Sequence, residues 1–348
     1  MGESLKKNIK NYSLDKLKEE LKNMGEKPFR AEQIFKWLFQ DKVNSFENMT
    51  NLSLELRKKL SENYKIGQFK IVQKLESIDG TKKYLFDVQD DAGNLIESVL
   101  MKYHHGYTIC VSSQIGCKMG CKFCASTGIP FSRNLEPGEI VEQILAIEND
   151  SNIKISNIVF MGIGEPLDNY DNVMEAIQIL NHPKGLNIGA RHISISTSGI
   201  VPKIYELADR QMQCTLSVSL HSSNNKTRSS MMPINNAYPI EELMNACKYY
   251  IEKTNKRISF EYALAKDNND NLEDAKKLVK LLHGMLAHVN LIPINKIEDG
   301  EYTKSTNENI IKFRDYLNDH GIVATIRREL GADISAACGQ LRKQNLNN

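Results

Sequence analysis

The sequence predicts an α/β fold, a partial β/α barrel preceded by a small helical module with a short β-rich region between them. Three observations lead there. From about residue 107 strand-like and helix-like stretches alternate almost to the end; residues 13 to 64 carry helical periodicity; and residues 68 to 101 read as short alternating segments broken by turns. The expected division is therefore 1–66, 67–104 and 105–348.

In the first part, Ser13 precedes Leu14, Leu17 and Leu21, and Gly25 follows, the pattern of a capped amphipathic helix. FRAEQIFKWLFQ predicts a second helix with Phe29, Ile34, Phe35 and Leu38 on its apolar side. FKIVQKLES, KKYLFDVQD and LIESVLMKY, punctuated by Asp79-Gly80 and Gly93-Asn94, predict a meander. YTICVSS, SNIVFMG, HISISTS, CTLSVSL, RISFEYAL and HVNLIPI are then each followed by a helical stretch, one of them from Pro239 to Lys253, and IVATIRREL closes the series. Parallel strands joined in this way carry their functional residues at the strands' C-terminal ends.

With 348 residues, 41% hydrophobic and 25% charged, the chain can bury a full core. It has no run approaching the roughly 20 apolar residues of a membrane span, and its first residues lack the apolar region of a secretory signal. A cytoplasmic location without membrane contact is expected. Seven cysteines in so long a chain favour a metal or catalytic role over a disulfide framework. Cys214 and Cys247 read as buried members of ordinary elements. Net charge is only +2, but residues 1 to 70 hold 15 Lys and Arg against 10 Asp and Glu. That excess suits a module facing phosphates, and equally suits solvated helix faces.

Four of the cysteines lie in CVSSQIGCKMGCKFCAS, residues 110 to 126. Cys117, Cys121 and Cys124 have C-x3-C-x2-C spacing just after the first barrel strand. Three thiolates on one loop suit three irons of a 4Fe-4S cube, leaving the fourth iron open; a structural zinc site wants four ligands, with Cys110 as the remaining candidate. The motif, with Phe123 before its last cysteine, resembles the signature of the radical S-adenosylmethionine (SAM) superfamily, in which SAM chelates the open iron. MGIGEP, residues 161 to 166, resembles that superfamily's glycine turn, with Glu165 meeting the SAM amino group.

The resemblance extends through CVSSQIGC, FMGIGEP, ISISTSGIVP, SVSLH, MPIN, NLIP and DISAACGQL to the RlmN/Cfr family of RNA adenine methyltransferases, and covers nearly the whole chain. It departs at Ile163, where the family often has methionine, and in a short tail after Cys338. The chemistry explains the apparatus: carbon 2 of adenine is electron-poor and cannot attack the methyl of SAM, whereas a thiolate can. The resemblance implies that Cys338 takes a methyl from one SAM, and that a second SAM, cleaved at the cluster, yields a 5'-deoxyadenosyl radical that abstracts hydrogen from that methyl. The carbon radical then adds to the base, Glu97 accepts the proton, and Cys110 resolves the adduct by forming a disulfide with Cys338. On residue type alone, Cys110 and Cys338 would read as small core residues and Glu97 as a strand carboxylate.

The resemblance further implies SAM contacts at Gly164, Glu165, Ser196, Ser219, Leu220, His221 and Asn295. Implied partners are 23S rRNA and tRNA, together with a low-potential donor such as flavodoxin and its reductase; a monomer is expected. Arg133, Arg191, Arg327 and Arg328 are candidate phosphate contacts. The sister activity at carbon 8 of the rRNA adenosine would use the same residues, and an iron-sulfur RNA-binding protein without catalysis would have no use for the Cys110 and Cys338 pair.

Overall fold

The structure is a computed structural model that describes residues 6–295, 301–336 and 339–340. Helices α1 (Leu14–Asn23), α2 (Phe29–Phe39) and α3 (Leu54–Asn63) form the N-terminal module, closed by a short parallel pairing of Lys7–Asn8 with Tyr64–Lys65. Leu14, Leu17 and Leu21 of α1 are buried, as their spacing predicts, together with Ile34, Phe35 and Leu38 of α2. Phe29 departs from the expected stripe and is 51% exposed. It is the first residue of α2, beyond the packed turns, and the Arg30 guanidinium lies over its ring at 4.8 Å.

The main sheet contains β1 (Lys70–Glu76), β2 (Lys82–Asp87), β3 (Leu95–Tyr103), β4 (Gly106–Cys110), β5 (Ile155–Phe160), β6 (Ile193–Thr197), β7 (Thr215–Ser219), β8 (Ile258–Leu264), β9 (Ala287–Pro293) and β10 (Ala324–Ile326). These ten strands pair in chain order. From β4 to β10 every pairing is parallel, while β1, β2 and β3 add an antiparallel extension at the β4 edge. The β-rich region of 67–104 is thus continuous with the barrel sheet. Connecting helices α4 (Pro137–Ser151), α5 (Tyr170–Asn181), α6 (Val201–Asp209), α7 (Asn225–Met231), α8 (Ile240–Thr254), α9 (Leu272–Leu282) and α10 (Asn307–Asp319) follow the strands. Since parallel crossovers are right-handed and the strand order never reverses, successive helices stack on one side and the sheet curls into an open barrel.

Alternation along the strands divides the two faces. Tyr84, Phe86, Ile96, Leu100 and Ile109 enter the large core shared with the helices. Val99, Met101 and Cys110 project to the other side, where they pack with Ile163, Leu330 and Ala336. Cys214 and Cys247 are buried core members, as expected.

The module sits against α4 and α5 through charge as well as apolar packing. Lys10 Nζ lies 2.5 Å from Glu142 Oε2 with both side chains buried, and the Ser13 N–H donates to Glu175 Oε1 at 2.8 Å. Lys16 pairs with Glu175, Lys42 with Glu148 and Lys184 with Glu32. Part of the N-terminal positive excess is therefore neutralised by acidic barrel helices. Removing one member of a buried pair strands the other charge, at about 3 to 5 kcal/mol. Lys10→Met is expected to lower the unfolding free energy measured by denaturant titration by that order, and a K10M/E142L double variant to recover most of it.

Candidate active site

The strands' C-terminal ends surround one cavity, and the sequence elements singled out above converge on it. Cys117, Cys121 and Cys124 come from the loop after β4, Gly164 and Glu165 from the turn after β5, and Ser196 from β6. Ser219 ends β7, His221 follows it, and Asn295 follows β9; all line the cavity. Leu220 is absent from the lining: it is fully buried, and its N–H donates to the Glu261 carbonyl at 3.0 Å.

The glycine turn fits where other residues would not. A Cβ at Gly162 would stand 2.6 Å from the Val111 carbonyl oxygen, and Gly164 has φ +104° with Gln114 against its open side. This close approach carries Glu165 inward, where its Oε2 accepts from the Ser198 N–H at 2.7 Å and its Oε1 from the Leu167 N–H at 3.0 Å. The Glu165 N–H donates to Gln114 Oε1 at 2.9 Å, tying the turn to the start of the cysteine loop. Burial raises the Glu165 carboxyl above its ordinary range, and the two backbone donors partly offset that rise.

The cysteine loop is held at several points. The Lys122 N–H donates to the Met231 carbonyl at 3.0 Å, and the Cys124 N–H to the Cys121 carbonyl at 3.1 Å. Phe123 meets His221 edge-on, with ring centroids 4.6 Å apart. Burial drives the Cys117 thiol up to about 11 and the Cys121 thiol well above its ordinary value, with neighbouring Cys124 adding to the effect at both. Such thiols stay protonated unless a metal deprotonates them. Among the described residues no three His, Cys, Asp or Glu side chains gather as ligands of a single ion. Thiols held by separate irons of a cluster need no such convergence, so this loop suits an iron-sulfur cluster by number, chemistry and spacing.

His221 is fully buried with φ +54°. Its Nδ1 accepts from the Ala263 N–H at 2.9 Å, which leaves the ring proton on Nε2. Burial, aided by the Arg228 charge, pushes its pKa down to about 3. Glu261, which sequence reasoning missed, also lines the cavity; it is buried, raised by desolvation, and faces Arg327 Nη1 at 3.7 Å. A carboxylate inside the apolar strand RISFEYAL was the available signal. Thr197 and Ser198, which lie within ISISTSGIVP but were not singled out there, line the cavity as well.

Cys110 and Glu97 lie on the same face of the β3–β4 ladder, because Val99 pairs with Cys110 and Glu97 is two residues from Val99. Both are buried, and Lys83 Nζ lies 3.4 Å from Glu97 Oε1. Cys338 lies outside the described residues. Ala336 packs in the Cys110 cluster, and the Gly339 carbonyl accepts from the Ala125 N–H at 2.7 Å, one residue past Cys124. Arg133 is engaged by Asp90 and Glu139 at 2.8 and 2.7 Å, so its proposed phosphate contact gives way to an internal ion-pair network.

An open β/α barrel with this cysteine loop and glycine turn defines a radical SAM enzyme, and a family model described as the radical SAM superfamily matches residues 111–282. A second, the ribosomal RNA large subunit methyltransferase N-terminal domain, matches residues 7–66. A probable dual-specificity RNA methyltransferase RlmN from Clostridium novyi (strain NT) is 53% identical over 98% of this chain and 99% of its own length. Its namesake from Clostridioides difficile (strain 630) is 53% identical, with 97% of each covered. The crystal structure of a radical SAM methyltransferase from Sphaerobacter thermophilus superposes with TM-score 0.91 and 41% identity, covering 97% of this chain and 100% of that one. The chain belongs to the RlmN family.

The His221 geometry carries a pH consequence. Its folded pKa lies below that of the unfolded chain, so protons bind preferentially to the unfolded state and this contribution to stability is lost as pH falls from about 6.5 towards 3. In NMR spectra the His221 ring is expected to show no titration between pH 8 and pH 5; a midpoint near 6.5 would contradict the buried neutral ring.

Proposed function

We propose that this chain methylates carbon 2 of a specific adenosine in 23S rRNA and in tRNA, with a 4Fe-4S cluster on Cys117, Cys121 and Cys124 and two SAM molecules consumed per turnover. The observation that carries the reading is the disposition of Cys110, Glu97 and the chain on either side of Cys338: Ala336 against Cys110, and Gly339 hydrogen-bonded beside the cluster loop. A radical SAM protein that only bound RNA would have no use for that convergence.

When bound, the cluster and SAM supply a one-electron route to a carbon radical, which an electron-poor ring carbon accepts where it would refuse a polar methyl transfer. The chain's own residues do the remainder. Cys338 carries the methyl as a thioether, and Glu97 takes the ring proton with Lys83 beside it to stabilise the carboxylate. Cys110 attacks the Cys338 sulfur and releases the base, leaving a disulfide that must be reduced before the next cycle. Gly164, Glu165, Ser196, Ser219, His221 and Asn295, which line the cavity, are assigned to SAM, with Glu165 offering a buried acceptor for its ammonium group; Leu220 lies behind them, its N–H and carbonyl bonded to Glu261 and Arg228. The N-terminal module holds the structured RNA while the target base is turned out of its stack. A flavodoxin-type donor supplies the electron, and the enzyme acts as a monomer. No described helix is long and apolar enough to cross a membrane.

The deciding experiment pairs intact-protein and peptide mass spectrometry with nucleoside analysis of the RNA product. Cys338 is expected to carry one added methyl in protein made in iron-replete cells, and the product to be 2-methyladenosine. Cys110→Ala is expected to accumulate a covalent RNA adduct while turnover falls by at least about 100-fold, the scale on which loss of a chemical group acts. An unmodified Cys338 beside a full, reducible cluster would remove the methyl-relay reading, and 8-methyladenosine would reassign the position of attack.

A further inference from the structure

Arg228, on α7, is the largest of the fully buried side chains, and no carboxylate pairs with it among the described residues. Its Nε donates to the Leu220 carbonyl at 3.1 Å and its Nη1 to Asn235 Oδ1 at 2.9 Å. Its Nη2 donates to the carbonyls of Ser198 and Ser219 at 2.7 and 3.0 Å. Four of the guanidinium's five N–H donors are thus satisfied, every one by a neutral oxygen. The hydrogen bonding is nearly complete, yet the charge is left without a counter-ion.

Taking an unpaired cation out of water costs several kcal/mol, and carbonyl dipoles offset only part of that. The nearby thiol of Cys247 does not supply the missing charge, because burial pushes it up to about 12. The Arg228 charge also acts on His221, which stays neutral and so supplies no counter-charge, and on Cys121. The geometry agrees: Cys121 packs against the buried cluster that contains Met231 and Met232, one turn beyond Arg228, and the adjoining Lys122 N–H is bonded to the Met231 carbonyl. Arg228 itself stands behind the cavity wall and does not line it.

We propose that Arg228 is the buried counter-charge of the cysteine-held iron-sulfur cluster, and that it raises the cluster's reduction potential by offsetting the negative charge added on reduction. The inference rests on the cluster assignment above. A metal turns the loop's thiols into thiolates, so anionic charge enters the site with the cluster and not before. A fixed cation behind one ligand then favours the reduced, more negative form, through the net charge and surroundings that set such potentials. Arg228 is a positioning residue in a second sense, since it ties the ends of β6 and β7 to α7.

The test compares full-length wild type, R228M and R228K, each reconstituted anaerobically with iron and sulfide, by EPR-monitored potentiometric titration. At the wild-type midpoint, R228M is expected to lower the ratio of reduced to oxidised cluster by at least about tenfold, which is about 59 mV for a one-electron couple; R228K is expected to stay close to wild type. Equal midpoints for wild type and R228M at matched iron content would overturn the proposal. So would an R228K shift as large as that of R228M, because it would trace the effect to hydrogen bonds and not to charge. If R228M does not fold, R228Q serves in its place, since it keeps donors for the carbonyls and removes the charge. Failure of the wild-type chain to assemble any cluster is a separate outcome, and it would defeat the cluster assignment itself.

Discussion

Parallel pairing in chain order from β4 to β10 is the constraint on which the site depends, because it brings every strand's C-terminal end to the same opening of the barrel. Residues from Cys117 to Asn295, 178 positions apart in sequence, line one cavity there although they belong to separate motifs. Cys117 arrives from the loop after β4, Glu165 from the turn after β5, and Asn295 from the end of β9. The strand ends also leave backbone N–H and C=O groups pointing into the opening. Glu165 uses two of the former, and Arg228 uses three of the latter.

Those backbone groups explain how ionisable side chains are tolerated in so dry a place. A buried carboxylate or guanidinium is costly unless its hydrogen-bonding capacity is met. Glu165 and Arg228 meet theirs chiefly from peptide groups that the fold has already ordered, so little additional side-chain entropy is lost. His221 follows the same rule by remaining neutral: the Ala263 N–H occupies one ring nitrogen, and burial together with the Arg228 charge excludes a second proton. The thiols of the cysteine loop are the exception. Their burial is unfavourable to the thiolate until a metal supplies positive charge, which makes the loop the part of the wall whose electrostatics change on loading.

The barrel and the cysteine loop were legible in sequence because both are local patterns. Strand-helix alternation, the Leu14, Leu17, Leu21 stripe and C-x3-C-x2-C are each read within a short window, and the glycine turn owes its significance to following a strand. What was not legible depends on contacts between distant segments. Nothing near TRSSM announces that Arg228 will reach carbonyls from two strands, and nothing near FSRNLEPGE announces that Arg133 will be held by Asp90. The surplus of basic residues in the N-terminal module is likewise ambiguous without its neighbours, since Lys10, Lys16 and Lys42 find partners on barrel helices. Phe29 shows the limit of periodicity itself, which predicts a face but not how far along a helix that face is covered.

The antiparallel extension gains a purpose from the same reasoning about distant contacts. Three strands added to the β4 edge are unnecessary for closing a barrel, yet the turn between β1 and β2 is where the chain after β10 docks. The Gly331 N–H donates to Asp79 Oδ2, Asp333 accepts from the Ser77 hydroxyl and the Ile78 N–H, and Lys83 Nζ donates to the Ser335 carbonyl at 3.4 Å. Lys83 also faces Glu97, so the residue that helps hold the C-terminal segment is the one that stabilises the buried carboxylate. Burial would raise the Asp79 carboxyl, but hydrogen bonds from Thr81 and Gly331 outweigh it and bring it down to about 2, so the charge that secures this docking persists at any ordinary pH. These contacts are polar and largely at the rim, hence individually modest. They add several separable bonds to the apolar contacts of Leu330 and Ala336 with Val99, Met101, Cys110 and Ile163, so polar and apolar contacts together fix the segment beside Cys110.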